Sequence, residues 1–167
     1  MKQPATATPY AVLDLDGTLA DVRHRLHHLA RRPRNWDAFF AGCSADQPLP
    51  EGLEVTAALA AEHEIVYLTG RPERTRRATE RWLRRHGLPP GRLLMRGETD
   101  RRPSAVFKLG RLRRLAAERA VAVLVDDDAA VCAAAEAAGF LVLRADWALD
   151  EATQPTLFDA QERHGRT

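Results

Sequence analysis

Two aspartates, Asp14 and Asp16, stand two positions apart in the run DLDGTLAD at 14–21. On an extended chain, residues two apart face the same side, so their carboxylates share a face. They close an apolar run, YAVLDL at 10–15, where two like charges are costly unless a cation compensates them. Thr69 and Gly70 follow a second apolar run, EIVYL at 64–68. A hydroxyl and backbone N–H groups ahead of a helix start are a natural phosphate site. Asp126, Asp127 and Asp128 follow a third run, VAVLV at 121–125, and Lys108 precedes it. Each feature alone has an ordinary explanation: an Asp-Gly turn, a tight strand-to-helix turn, a solvated lysine, a capping aspartate. Together they supply oxygen ligands for a hard cation, a nucleophile, a second acid/base carboxylate, a hydroxyl and an ammonium. That set suits phosphoryl transfer.

These groups need a scaffold that collects them. Strands are expected at 10–15, 64–68, 93–95, 121–125 and 140–143, separated by helical patterns. Short apolar runs between helices indicate parallel strands buried on both faces. One helix is expected to start at Pro72 and stop at Gly87, supported by Glu73 with Arg77 and Glu80 with Arg84 at i,i+4 spacing. A second starts with Ser104 as its cap and carries Val106, Leu109, Leu112, Leu115 and Ala116 at helical spacing. A third runs from an Asp128 cap to Gly139. The class is α/β: a Rossmann-like, doubly wound parallel sheet of about five strands, whose ligands bind beyond the carboxyl ends of the strands.

The 167 residues suit a single domain, with its core at 10–145, a flap at about 20–50 and a polar tail at 154–167. The hydrophobic fraction of 45% suffices for a core, and the formal net charge of +2 gives no strong basic field. Almost every basic residue is arginine, Lys2 and Lys108 being the exceptions, so Lys108 stands out. Cys43 and Cys132 form no metal-ligand spacing and are expected as reduced thiols. The start, MKQPATATPY, lacks the apolar stretch of a signal peptide, and no run is long enough to span a bilayer. A cytoplasmic protein, off the membrane and without an obligate protein partner, is expected. In the flap, His24, His27 and His28 have spacings that would suit metal ligation on a helix, although a solvated surface is the commoner use. Trp36, Phe39 and Phe40 would suit either a packed helix face or the stacking of a nucleobase.

DLDGT at 14–18, Thr69, Lys108 and Asp126-Asp127 resemble the four motifs of the haloacid dehalogenase superfamily, over roughly residues 10–145. Within it, the chain resembles the phosphatase domain of bacteriophage polynucleotide kinase-phosphatase. Arg25 stands eleven residues after Asp14, Arg71 completes Thr69-Gly70-Arg71, and LLMRGETDRRPSAVFK leads to Lys108. That group has Asp four positions before the lysine, where this chain has Ser104; both residue types cap helices.

The resemblance implies Mg²⁺ held by Asp14 and by Asp126 or Asp127, with the backbone carbonyl of Asp16. It implies Asp14 as nucleophile, Asp16 as acid and base, and Thr69 and Lys108 on the phosphoryl oxygens. Gly70, Arg25, Arg71 and Arg102 become candidate substrate contacts. The implied substrate is a phosphorylated one, with nucleic-acid 3′-phosphate ends ahead of mononucleotides. Asp16 and Thr69 are 53 residues apart and Thr69 and Lys108 are 39 apart, intervals too short for a large cap domain. No GxxxxGK[ST] loop is present, so no kinase activity is expected. A receiver-type phospho-switch also combines Asp, Thr and Lys, but its acidic pair lies near the first strand. Here an acidic cluster follows Lys108.

Overall fold

The computed structural model describes residues 7–148; the polar tail at 154–167 lies outside them. The elements run β1 (Tyr10–Leu13), β2 (Ala20–Asp21), α1 (His27–Ala30), α2 (Trp36–Ala41), β3 (Gln47–Pro48), α3 (Pro50–Ala60), β4 (Glu64–Pro72), α4 (Arg76–Arg85), β5 (Arg92–Arg96), α5 (Ser104–Glu118), β6 (Val121–Asp126), α6 (Ala129–Ala137) and β7 (Val142–Arg144). Five strands form one sheet in the order β5-β4-β1-β6-β7, and every pairing in it is parallel. The sheet is Rossmann-like. The chain builds outward from β1 on one side, then returns to β1's other side. That reversal opens a crevice at the carboxyl end of β1, where the DLDGT run begins.

The central strands are buried on both faces, and period-2 alternation sorts their side chains. Ala11, Leu13, Ile65, Tyr67, Val123 and Val125 pack on one face with Trp82, Leu83 and the partly buried Leu53 and Leu59. Tyr10, Val12, Val66, Leu68 and Leu124 pack on the other with Phe107, Leu112, Leu115 and Val131. Helices α3 and α4 therefore cover one face, and α5 and α6 the other. Each fully buried side chain of the Leu or Phe type contributes about 1.5–3 kcal/mol of transfer free energy, so the strand ends are anchored in a rigid base.

Several element boundaries differ from the sequence expectation. β4 stays extended through Pro72, which pairs with Arg96 after a break in register. A 3-10 turn at Glu73–Thr75 follows, and α4 begins only at Arg76. Pro72 is thus not the first helical residue. Glu73 and Glu80 both pair with Arg76, at 2.8 Å and 3.7 Å, rather than with Arg77 and Arg84. Ser104 is the first helical residue of α5, not its cap. Pro103 holds that place, and its carbonyl accepts from the Phe107 amide at 3.0 Å. Residues 140 and 141 precede the last strand. Gly139, at φ +87°, turns the chain so that the Phe140 amide bonds back to the Ala135 carbonyl. Asp128 does cap α6, accepting from the amides of Ala130 and Val131.

The flap carries regular structure of its own. β2 and β3 pair antiparallel at its base, and α1 and α2 lie between them. Trp36, Phe39 and Phe40 are buried with Val22, Leu26 and Leu29 in a small core of their own, the packed-face use of that aromatic cluster. No large cap domain is present among the described residues. No helix among them is long and apolar enough to cross a membrane.

Candidate active site

Asp14 follows β1 directly, and its amide donates to the Val125 carbonyl on β6 at 2.9 Å. That ladder bond fixes the first carboxylate beside Asp126 and Asp127. Lys108 sits on the buried face of α5's first turns, and its Nζ lies 2.8 Å from Asp14 Oδ1 and 2.7 Å from Asp126 Oδ2. Asp126 Oδ1 accepts from the Asp128 amide at 3.0 Å. The Thr18 hydroxyl lies 3.5 Å from Asp14 Oδ2 and 3.2 Å from Asp127 Oδ1. Gly17 has φ +85°, and a Cβ there would stand 2.2 Å from Asp127 Oδ2. The glycine is required for both the turn and the room.

Three carboxylates therefore face one ammonium. Oxygens of Asp14, Asp126 and Asp127 lie within 4.8 Å of one another, all three residues buried, and Asp127 Oδ2 is buried without a hydrogen-bond partner among the described residues. Burial pushes the Asp14 carboxyl up to about 7; Lys108 opposes the rise and the Asp126 charge adds to it. Burial, then the charges of Asp14 and Asp126, pushes Asp127 well above the usual carboxylate range. Burial alone would lower Lys108, but Asp126 and Asp14 outweigh it and keep the ammonium charged. An orphaned carboxylate oxygen in an under-neutralised cluster fits a hard divalent cation, which takes oxygen ligands.

Asp16 lies in a different environment. Its Oδ1 accepts from Arg25 Nη2 at 2.8 Å and from Arg71 Nε and Nη2 at 2.9 Å and 2.6 Å. Its Oδ2 has no hydrogen-bond partner among the described residues. Burial would raise the Asp16 carboxyl, but the Arg25 and Arg71 guanidiniums outweigh it and hold it below the usual range. Both arginines also bind a residue that sequence reasoning missed. Asp46 accepts from Arg25 Nε and Nη2 and from Arg71 Nη2, each at 2.8 Å. His24 Nε2 lies 2.8 Å from the same carboxylate, so His24 serves this network. Trp82 Nε1 donates to the Asp46 carbonyl at 2.8 Å, tying the end of the flap to α4. The missed signal was one of charge accounting: two arginines placed near the site had one motif carboxylate, Asp16, to balance them.

The other expected residues fall in two groups. Thr69 is buried near the end of β4, its hydroxyl accepting from the Arg71 amide at 3.2 Å, and the register Leu13↔Tyr67 carries it level with Leu15. Gly70 lines a cavity beside it. Arg25 and Arg71 are almost fully buried, so their guanidiniums position Asp16 rather than reach outward. Arg102 is in the loop before α5, its side chain paired with Asp100 at 2.5 Å and 56% exposed.

A parallel sheet with a nucleophile-type aspartate after its central strand, and a hydroxyl, an ammonium and paired carboxylates around it, defines a phosphoryl-transfer enzyme of the haloacid dehalogenase type. Residues 9–147 match the family described as polynucleotide kinase PNKP phosphatase domain. The chain belongs to that family, and its class of activity is phosphomonoester hydrolysis. Among solved structures, the Pnkp1/Rnl/Hen1 complex contains a similar chain, with TM-score 0.67 and 23% identity over 87% of this chain and 47% of that one. This chain thus spans less than half the length of that relative. A haloacid dehalogenase-like hydrolase from Streptococcus pneumoniae is similar at TM-score 0.54 and 16% identity, over 93% of this chain and 91% of that one. A HAD family enzyme from Bacteroides thetaiotaomicron, solved with magnesium and inorganic phosphate, is similar at TM-score 0.51 and 9% identity, over 89% of this chain and 99% of that one. At these identities the structures establish the fold. A comparison with curated proteins found no match.

Proposed function

We propose that this domain is a Mg²⁺-dependent phosphatase that removes phosphate from the 3′ ends of nucleic acids through an aspartyl-phosphate on Asp14. The observation that carries the reading is the buried cluster of Asp14, Asp126 and Asp127 beside Lys108. Family membership supports the reaction class. The Pnkp1/Rnl/Hen1 assembly is an RNA repair complex, and the likeness to one of its chains supports a polynucleotide substrate.

Asp14 and Asp127 would hold the metal, with the Asp16 backbone carbonyl, and Asp126 as a further ligand. When bound, Mg²⁺ supplies positive charge to the phosphoryl oxygens and offsets the carboxylate cluster. A carboxylate oxygen of Asp14 attacks phosphorus, and the bond from phosphorus to the 3′ oxygen breaks. Asp16 Oδ2, the oxygen that Arg25 and Arg71 leave unbound, passes a proton to the leaving oxygen. That proton enters with the substrate's monoanion, since a phosphate ester's second pKa is about 6. The two guanidiniums favour the Asp16 carboxylate, so the protonated form is a strong donor. Water then attacks phosphorus, Asp16 takes its proton, the bond to Asp14 breaks, and phosphate leaves with the proton that Asp16 hands back, which restores the Asp16 carboxylate. Lys108 and the Thr69 hydroxyl stabilise the phosphoryl oxygens during both displacements.

The test is phosphate release from a 3′-phosphorylated oligonucleotide, its 5′-phosphorylated counterpart, and the matching 3′- and 5′-mononucleotides, with Mg²⁺ and with EDTA. The 3′-phosphorylated oligonucleotide should give the highest kcat/KM and EDTA should abolish the release. A preference for either mononucleotide would replace this reading with a nucleotidase.

A further inference from the structure

Arg74, in the turn after β4, reaches in two directions. Its Nη2 lies 2.7 Å from Asp37 Oδ1 on α2. Its Nη1 lies 2.7 Å from Glu98 Oε2 in the loop after β5, and its backbone amide donates to Glu98 Oε1 at 2.6 Å. Asp37, Arg74 and Glu98 line a cavity of about 170 Å³ together with Gly70, Arg96 and Arg101. Gly70 directly follows Thr69, so the cavity begins one residue from the catalytic hydroxyl. Its lining carries three guanidiniums and two carboxylates, and the Asp14 chemistry uses none of them.

Two of the guanidiniums can turn to a ligand. Arg74 is 44% exposed, with partners Asp37 at 86% and Glu98 at 45%. Exposed pairs of this kind are weak, so a competing anion can displace them. Arg101 is exposed, and its Nη1 donates to the Glu98 carbonyl. Arg96 is buried, its Nη1 donating to the Arg102 carbonyl at 2.8 Å, and it supplies positive charge from the floor. A phosphate presents a guanidinium with the same two-oxygen fork as a carboxylate.

We infer that this cavity is a second anion subsite. Arg74 and Arg101 receive the phosphodiester that links the 3′-phosphorylated nucleotide to its neighbour, and Asp37 and Glu98 hold Arg74 until it arrives. The inference rests on the nucleic-acid reading above and gives it a structural basis: a substrate with a second phosphate gains contacts that a mononucleotide lacks. It also moves the candidate substrate contacts from the buried Arg25 and Arg71 to the exposed Arg74 and Arg101.

The experiment compares two 3′-phosphorylated dinucleotides, one with an ordinary phosphodiester and one with an uncharged methylphosphonate linkage. The unmodified protein should favour the charged linkage about fivefold in kcat/KM, mainly through KM, the size expected of contacts made by exposed guanidiniums. The preference should shrink as salt rises. Arg74→Ala combined with Arg101→Ala should bring the ratio close to one; a ratio taken within one variant is insensitive to how much of it is folded. Asp37→Asn should lower KM for the charged dinucleotide, because it removes the competing charge, and an unchanged or higher KM counts against the subsite. Equal use of the two linkages by the unmodified protein, or a ratio that survives in the double variant, overturns the subsite and leaves the nucleic-acid phosphatase reading standing. If neither dinucleotide is hydrolysed while mononucleotides release phosphate, that reading falls and the subsite with it.

Discussion

Asp14 and Asp16 are two residues apart, yet their carboxyls are displaced in opposite directions, Asp14 up to about 7 and Asp16 below the usual range. Around Asp16 the chain supplies its own neutralisation, with Arg25 and Arg71 set against Asp16 and Asp46. Around Asp14 it does not: among the described residues, Lys108 is the one cation set against Asp14, Asp126 and Asp127. A complete ion-pair network positions a group and keeps it in one state. An incomplete one keeps a place for a positive charge that must come from outside, and on the function proposed above a metal ion supplies that charge beside Asp14. The contrast can be broken on either side.

The largest expected effect is chemical. Asp14→Asn should lower phosphatase turnover by several orders of magnitude, about the loss seen when an essential nucleophile is removed, while the protein stays folded. The measurement is phosphate release alongside circular dichroism, and near-normal turnover in a purified variant would defeat the nucleophile assignment.

Next is the closed network. Asp46→Ala leaves two buried guanidiniums short of a carboxylate, and breaking a buried pair in this way costs about 3–5 kcal/mol. Urea unfolding should show that loss, and kcat should fall as well because Arg25 and Arg71 no longer hold Asp16 in place. A loss below about 1 kcal/mol, the size expected of an exposed pair, would mean that the network does not carry the stability its geometry suggests.

The smallest effect belongs to a pair outside both clusters. Arg92 Nη1 lies 2.6 Å from Glu118 Oε2, with side chains 40% and 50% exposed. Glu118→Gln should change stability by no more than about 1 kcal/mol and leave turnover unchanged. An effect as large as that of Asp46→Ala would erase the distinction between buried and exposed pairs on which the contrast rests.

The two regions also differ in how far the sequence reveals them. Asp14, Asp16, Thr69, Lys108, Asp126 and Asp127 are legible because each follows, or packs against, an apolar strand whose end fixes its place. Asp46 is not, because it ends a flap with no strand rhythm, and the arginines that give it meaning are 21 and 25 residues away. The start of α4 differs from its sequence expectation for a related reason. Proline suits a first helical turn, but the register of β4 resumes at Pro72 against Arg96, and a tertiary pairing overrides the local preference. The cap of α5 moves by one residue, and Ser104 Oγ instead lies 3.4 Å from Arg96 Nη2, a contact to a neighbouring strand that no helical pattern encodes. The aromatic cluster at 36–40 suits two uses by sequence, and its burial in the flap core decides between them.

The central claim is that the Asp14 cluster takes up a cation from solution, whereas Arg25 and Arg71 already neutralise the Asp16 cluster. It is tested most directly by thermal unfolding of the unmodified protein and of Asp127→Asn, each with EDTA and with Mg²⁺. Mg²⁺ should raise the Tm of the unmodified protein, by the equivalent of about 2.7 kcal/mol at a hundredfold excess over Kd. Asp127→Asn, by removing one of three crowded carboxylates, should raise the Tm in EDTA and lose most of the Mg²⁺ response. A protein whose Tm ignores Mg²⁺, with an Asp127→Asn variant less stable than its parent in EDTA, would contradict the claim.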